Sequence, residues 1–370
     1  MITKICGITS ESEAKYLNEA MPDMAGFVMF YPKSKRNVSP EQAAKVKAVL
    51  DPGIKAVAVT VEPTLDQVRQ IGDLGFDYIQ IHGSISDEIL SECKIPIIKA
   101  FNVTDLADFE KYDAEPKVAG FVMDASEPGS GKMYDWDILK DLPKTDKFVI
   151  LAGGLSPENV IEAFERDGID GVDSSSGVEN PDGNGKSLEK ILDFVKRAKA
   201  LMVLDRHDYT PDMPVIKKRT VRAIILKDGK YAMQRSRAGE YKIPGGGVEG
   251  DETDLETLAR EVREECGMVL KTDTVKFIGS ILEYRADIFE PDKQYNVETV
   301  YYRCDVTDER YDLMLTDSEK EAGFECVWAP AEEIIRVNHE VIKQPWKIKD
   351  TVFIQRHAQV MKNPNLMKKV

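Results

Sequence analysis

No stretch of this 370-residue chain holds the ~18–20 consecutive apolar residues needed to cross a bilayer. The opening Met-Ile-Thr-Lys-Ile-Cys-Gly lacks the basic start and apolar core of a signal peptide, so a cytoplasmic protein is expected. Cysteine is sparse and scattered: Cys6, Cys93, Cys266, Cys304 and Cys326 contain no CxxC pair, which argues against a disulfide framework and a zinc site. Positive charge is in deficit. With 50 Lys and Arg against 65 Asp and Glu the net charge is -15, the opposite of what a general nucleic-acid or membrane-surface binder needs. A nucleotide as a small substrate stays open, since a few local cations or a bound metal can reverse the field inside one site. No Gly-x-Gly-x-x-Gly turn follows the first strand-like run, which sets a doubly wound open sheet well behind the alternative developed below. There is no internal repeat and no low-complexity tract.

What is present is ordinary globular composition, 42% hydrophobic and 31% charged, in a length that suggests two domains. Over residues 1–200 short β-rich runs alternate with amphipathic helical stretches. The runs are Ile2–Cys6, Ala25–Phe30, Lys55–Val61, Tyr78–Ile81, Pro96–Phe101, Ala119–Met123, Lys147–Leu151 and Gly171–Ser174. Helix-opening signals such as Ser39-Pro40-Glu41 and Ser156-Pro157-Glu158 lie between them. Eight βα units in about 200 residues are the minimum for a closed (β/α)₈ TIM barrel, the expected fold of the α/β first domain. Residues 201–214, polar and carrying Pro211 and Pro214, are expected to be a linker. Residues 215–370 change pattern: strands Thr220–Leu226 and Lys230–Gln234 around a Lys227-Asp228-Gly229 turn, a helix Thr253–Cys266, strands Val275–Tyr284, Val297–Cys304 and Phe324–Trp328, and a helix near Asp350–Met361. That is an α+β domain.

Barrel active sites gather at the C-terminal strand ends. Strand one ends in Cys6-Gly7, strand two leads to Lys35-Arg36, strand four ends in His82-Gly83 and strand six in Asp124. Strands seven and eight end in Gly153-Gly154 and Ser174-Ser175-Ser176-Gly177, small-residue turns where backbone N–H groups and hydroxyls could hold a phosphate. Cys6 and Asp124 would face one another across the mouth, one able to take a proton and the other to give one. Singly each has a plain alternative: a small buried hydrophobe for Cys6, a cap or salt-bridge partner for Asp124, a satisfied core histidine for His82.

In the second domain Glu261, Glu264 and Glu265 stand at helical spacings of three and four, so the carboxylates can share a face. Like charges that close repel, and a hard divalent cation is the usual cure. Arg260 sits one turn before Glu264, Gly267 supplies a helix stop, and the Gly246-Gly247 turn lets backbone approach a phosphate or metal. A solvated acidic face is the alternative, though it leaves the glycines and the Arg-Glu pair unexplained. Arg219, Arg222, the Gln234-Arg235-Ser236-Arg237 stretch, Tyr284, Tyr301 and Tyr302 could grip phosphates or stack a base; they could equally be core aromatics and surface arginines.

Two resemblances join these motifs. The KICGIT start, FYPKSKR-x-x-SP, QIHG, GSGK-x-YDW, AGGLSPENV and VDSSSGVE, in that order over residues 1 to about 198, resemble the phosphoribosylanthranilate isomerases, a TIM-barrel family of tryptophan biosynthesis. The resemblance implies isomerisation of N-(5′-phosphoribosyl)anthranilate to 1-(2-carboxyphenylamino)-1-deoxyribulose 5-phosphate by an Amadori rearrangement, without a cofactor. Asp124 would be the general acid, Cys6 as thiolate the base, and Arg36 the partner of the anthranilate carboxylate; the Gly153, Gly154, Ser175, Ser176 and Gly177 turns would bind substrate phosphate. The chain departs from the family at Val57-Ala58-Val59-Thr60-Val61-Glu62 and at Gly185-Lys186-Ser187, away from Cys6 and Asp124.

Residues 246–268 match every fixed position of the Nudix box, Gly-x₅-Glu-x₇-Arg-Glu-apolar-x-Glu-Glu-x-Gly-apolar. That resemblance implies a Nudix α/β/α sandwich in which Glu261, Glu264 and Glu265, with the Gly246 carbonyl, hold Mg²⁺ or Mn²⁺, polarise a diphosphate and activate water. Glu261 and Glu264 are the expected catalytic carboxylates. A later glutamate often joins them, and Glu319 and Glu321 are candidates, as well as being plausible surface acids. The expected whole is a bifunctional isomerase and hydrolase acting on small phosphorylated molecules, with neither nucleic acid nor membrane as partner. The alternative keeps the isomerase and makes the Nudix domain a nucleotide sensor.

Overall fold

The computed structural model describes residues 1–103, 105–124, 143–165, 168–210, 212–344 and 347–362. The chain divides into two compact units that meet in sequence at Lys199 and Ala200.

In the first unit the strands are β1 (Ile2–Cys6), β2 (Met24–Met29), the two-residue β3 (Asn37–Val38), β4 (Lys55–Val61), β5 (Tyr78–His82), β6 (Ile97–Asn102), β7 (Val118–Asp124), β8 (Phe148–Leu151) and β9 (Gly171–Ser174). All neighbours pair in parallel, β1 pairs with both β9 and β2, and β3 only borders β2, so eight strands close a barrel. Helices α1 (Glu11–Ala20), α2 (Pro40–Lys47), α3 (Leu65–Asp73), α4 (Asp87–Glu92), α5 (Phe109–Asp113) and α6 (Leu188–Lys199) stand among them. Their starts are sequence-encoded: the Ser10, Ser39, Thr64 and Ser86 side chains each accept the N3 backbone N–H.

Because side chains alternate across a strand, each strand divides its residues between two cores. Ile5, Ala25, Phe27, Ile79, Ile81 and Phe121 face the helical jacket. Cys6, Met24, Val57, Val59, Ile98, Val122, Ile150 and Ala152 fill the barrel interior. Cys6 and Asp124 are the last residues of β1 and β7, so the barrel's closure puts both at its C-terminal end. The GSGK-x-YDW loop lies outside the described residues.

In the second unit β10 (Met202–Asp205), β16 (Lys276–Ala286), β17 (Gln294–Arg303) and β11 (Val215–Ile224) form one mixed sheet, in that order. A second sheet holds β12 (Leu226–Lys227), β13 (Lys230–Arg235) and β14 (Tyr241–Lys242), with β19 (Glu325–Ala329) on β13. The small pair β15 (Met268–Leu270) and β18 (Val306–Arg310) completes the strands. The Lys227–Lys230 hairpin turns on Asp228 and Gly229, both at positive φ (50° and 74°), as a two-residue turn of this hand requires. Helix α7 (Asp254–Cys266) buries Leu258, Val262 and Cys266 against Val221, Ala223 and Ile225. The short α8 (Asp317–Ala322) follows β18, and the alternate β11 residue Ile224 faces the other way, into a core with Ile334 of α9 (Ala331–Val341) and Phe353 of α10 (Lys349–Lys362). Sheet between helical layers is the expected sandwich.

One expectation fails locally. The segment 201–214 is not linker throughout: Met202–Asp205 pairs in parallel with Ile281–Tyr284 as an edge strand of the second unit's sheet. Met-Val-Leu is an apolar run, and leaving it in solvent would forfeit burial against that sheet. No helix among the described residues is long and apolar enough to cross a membrane.

Candidate active sites

The first site is a cavity of about 700 Å³ at the C-terminal end of the barrel. Cys6, Arg36, His82, Asp124, Gly153, Gly154, Asp173, Ser175 and Ser176 all line it, so the strand-end residues singled out in the sequence are brought together. Gly153 and Gly154 take φ of 88° and 70°, which a side chain would strain. Gly177 is set against the preceding turn: a Cβ there would lie 2.1 Å from the Leu155 carbonyl oxygen. The two small-residue turns therefore pack into one wall. Ser175 Oγ donates to the Cys6 carbonyl at 3.1 Å, fastening that wall to β1.

The environment of Cys6 was only partly legible. Gly26 on the adjoining β2 makes room for its thiol, since a Cβ at that position would come within 2.8 Å of Sγ. Lys4, two residues earlier on the same face, is fully buried and pairs with Asp173 at 2.6 Å, and its charge acts on the Cys6 thiol. Burial pushes the Cys6 thiol up; the ammoniums of Lys4 and Lys186 act in the opposite direction. Burial works against the charge of Lys4, but Asp173 and Cys6 outweigh it, so the ammonium is retained above its ordinary range. Burial and the nearby Arg36 bring Lys186 down to about 8; its Nζ donates to the Ser175 carbonyl at 2.9 Å. Lys4 and Asp173 were missed in the sequence, and the Gly185-Lys186-Ser187 turn, expected to lie away from Cys6, instead brings Lys186 to the Ser175 carbonyl and into electrostatic reach of the thiol. The signal was there for Lys4 and Asp173: each is a charged residue inside an otherwise apolar strand.

Two residues behave differently from expectation. Arg36 lines the cavity with its charge already met, Nη1 donating to Glu13 and Nε to Glu179, both at 3.1 Å. Its Nη2 lies 2.8 Å from Glu179 without hydrogen-bond geometry and is a buried nitrogen with no hydrogen-bond partner. His82 is no mere core residue. It faces the cavity, with Gln80 Nε2 2.9 Å from its own Nε2, and burial with the nearby Lys4 and Lys99 brings it down to about 4, so the ring is neutral.

The second site is the turn before α7. Thr253 and Glu256 form a reciprocal capping box, and Gly267 closes the helix at φ 61°, the stop that the sequence signals. Glu261 is packed against Gly246, where a Cβ would fall 2.1 Å from its Oε1. The Gly246 carbonyl accepts the Val221 N–H at 2.9 Å. Glu265, 3% exposed, accepts from the Gly245 N–H at 2.7 Å and from Lys242 at 3.0 Å; burial raises its carboxyl. Arg260 joins Glu252 at 2.8 Å, Glu261 at 2.8 Å and Glu264 at 3.5 Å. Of the two later-loop candidates, Glu319 reaches this group: its carboxyl lies 3.9 Å from Lys242, which also holds Glu265.

The expected three-carboxylate cluster is not drawn together. Among the described residues no three acids, histidines or cysteines converge closely enough to hold an ion. Arg260 takes Glu261 and Glu264 while Lys242 takes Glu265, so like charges are separated by two cations. The donor chemistry still fits a hard divalent cation: the acids offer oxygen donors, with Glu261 pressed onto the Gly246 turn and Glu265 accepting from the Gly245 N–H.

The family model for N-(5′phosphoribosyl)anthranilate (PRA) isomerase matches residues 3–197, and that for the NUDIX domain matches residues 217–351. The N-(5′-phosphoribosyl)anthranilate isomerase of Geotalea uraniireducens is 42% identical over 203 residues, covering 54% of this chain and 98% of the relative. That of Geotalea daltonii is 40% identical over 201 residues, covering 53% and 95%. The crystal structure of phosphoribosyl anthranilate isomerase from Thermotoga maritima is 34% identical, covering 54% of this chain and 99% of that one, with a TM-score of 0.48.

Proposed function

Because the chain belongs to the phosphoribosylanthranilate isomerase family through its first unit, and carries a NUDIX domain in its second, we propose that it is a bifunctional enzyme. The observation that carries the first activity is the single cavity shared by Cys6, Asp124 and the two small-residue turns. The phosphate of N-(5′-phosphoribosyl)anthranilate sits against the Gly153-Gly154 and Ser175-Ser176-Gly177 wall. Asp124 gives its proton to the ribose ring oxygen, the C1′–O bond breaks, and the nitrogen lone pair forms an iminium. Cys6, as thiolate, removes the C2′ proton, and the electron pair neutralises the iminium to an enolamine that tautomerises to the ketone product. Lys4 and Lys186 support the thiolate in a pocket whose burial opposes it. Arg36 Nη2 receives the anthranilate carboxylate. Decay of substrate fluorescence tests the reading; unchanged turnover in Cys6→Ala with Asp124→Asn would overturn the roles.

For the second unit we infer hydrolysis of a nucleoside-diphosphate-linked substrate. Nudix domains typically use divalent metals, and here Glu261, Glu264 and Glu265 would hold Mg²⁺ or Mn²⁺, which polarises a phosphoryl oxygen and supplies a water nucleophile. Arg260 and Lys242 set the carboxylates' positions beforehand. Metal-dependent phosphate release from a nucleotide panel, lost in Glu264→Gln with Glu265→Gln, is the test. Binding without release in the wild-type chain would favour a sensor.

A further inference from the structure

Beside the glutamate helix lies a second cavity of about 380 Å³, which opens onto Lys242 and Gly247 of the turn described above. Its far wall comes from β11, β16, β17 and the start of α10. In a chain of net charge -15, six of its lining residues are cationic and three are acidic.

Arg222 is the centre of that wall. Its side chain is 10% exposed, and its Nε and Nη1 are buried with no hydrogen-bond partner. The nearest carboxylate, Asp350, stands 3.6 Å from Nε but is itself taken by the Tyr301 hydroxyl at 3.0 Å and the Ile243 N–H at 3.3 Å. Buried donors left unspent are costly, and a guanidinium presents them in the fork that suits a tetrahedral oxyanion. Lys349 adds a second, half-buried cation; desolvation and the adjoining Arg222 hold it below the ordinary lysine range. Glu283 steadies the group, 2.8 Å from Arg285 and 3.6 Å from Lys349, and the Arg285 guanidinium lies over the Tyr295 ring at 4.4 Å. Exposed Lys218 stands at the rim.

We propose that this cavity receives a phosphate group carried by the substrate beyond the diphosphate that is cleaved, bound through Arg222 and Lys349. The proposal rests on the hydrolase reading of the same unit. It makes that unit selective for substrates with a third phosphate over otherwise identical ones that end in a neutral group.

Calorimetric titration of the full chain in metal-free buffer tests this by binding alone, with inorganic pyrophosphate and tripolyphosphate as probes. Tripolyphosphate is expected to bind about tenfold more tightly, the worth of one or two charge-assisted hydrogen bonds. Arg222→Gln should abolish the ratio while the affinity for pyrophosphate changes little. Lys218→Gln, on the exposed rim and harmless to the core, should reduce the ratio about threefold. Equal affinities in the wild type would overturn the proposal, as would a ratio indifferent to both substitutions. If Arg222→Gln does not fold, Lys218→Gln decides alone: an unchanged ratio overturns the proposal. Citrate binding that is lost in Arg222→Gln, without a tripolyphosphate advantage, would overturn it in favour of a carboxylate ligand. Phosphate release in Mg²⁺ reads the hydrolase separately. Release without the ratio sinks the pocket alone, whereas the ratio without release supports the pocket and sinks the hydrolase.

Discussion

Lys4 Nζ lies 2.6 Å from Asp173 Oδ2 in the barrel interior, and the charge of the same ammonium acts on the thiol of Cys6. Removing one member of a buried ion pair strands the other, at a cost of ~3–5 kcal/mol. Lys4→Met is therefore expected to lower barrel stability by that order and to depress isomerase kcat. Lys4→Met with Asp173→Leu should regain most of the stability without regaining kcat. Urea unfolding followed beside turnover separates the two effects; recovery of both would show the pair to be structural only.

Gly26→Ala would press a methyl group onto Cys6 Sγ, 2.8 Å away before any adjustment. A fall in kcat of about tenfold or more with little change in KM is expected, since the displaced group is the base and not a binding residue. An unchanged kcat would remove Cys6 from that role.

Lys186 draws the Cys6 thiol down against the effect of burial. Lys186→Met should move the alkaline-rising limb of kcat/KM to higher pH, because the thiolate loses a neighbouring cation. A pH profile identical to that of the wild type would count against thiolate base catalysis.

His82 bears on stability in acid. Its protonation in the barrel is pushed down to about 4 from an ordinary 6.5, so between those values the unfolded chain binds a proton that the folded chain refuses. That contribution to stability is complete above pH 6.5 and is lost as the pH falls toward 4. Replacement by Asn should reduce the drop in urea midpoint between pH 7 and pH 5; an undiminished drop would assign the acid sensitivity elsewhere.

Gly246→Ala should abolish metal-dependent phosphate release and leave isomerase turnover intact. A Cβ there would collide with the Glu261 carboxylate, 2.1 Å away. Residual hydrolysis close to wild type would show that Glu261 has no part in it.

Much of this was legible beforehand, for identifiable reasons. Parallel strands covered on both faces read as apolar runs, so β1, β4 and β9 fall at Ile2–Cys6, Lys55–Val61 and Gly171–Ser174, as the sequence indicates. The glutamate helix announces its C-terminal end with Gly267. The interior ion pair was not legible, because Lys4 and Asp173 are 169 residues apart and only barrel closure joins them. Nor was the division of Glu261, Glu264 and Glu265 between Arg260 and Lys242: helical spacing fixes which side chains share a face but says nothing of a cation arriving from β14. The strand at Met202–Asp205 was hidden by brevity, since the strand it pairs with lies some eighty residues downstream.

That strand has a practical consequence for anyone dividing the chain. A fragment begun at residue 215, where the polar stretch suggests a cut, would strip β10 from β16 and present an open row of backbone donors and acceptors along that edge. The matching fragment ending at residue 214 would trail an apolar tail. Among the described residues, scission between Lys199 and Ala200 keeps every paired strand with its own sheet, so independently folding halves are to be sought on either side of that single peptide bond.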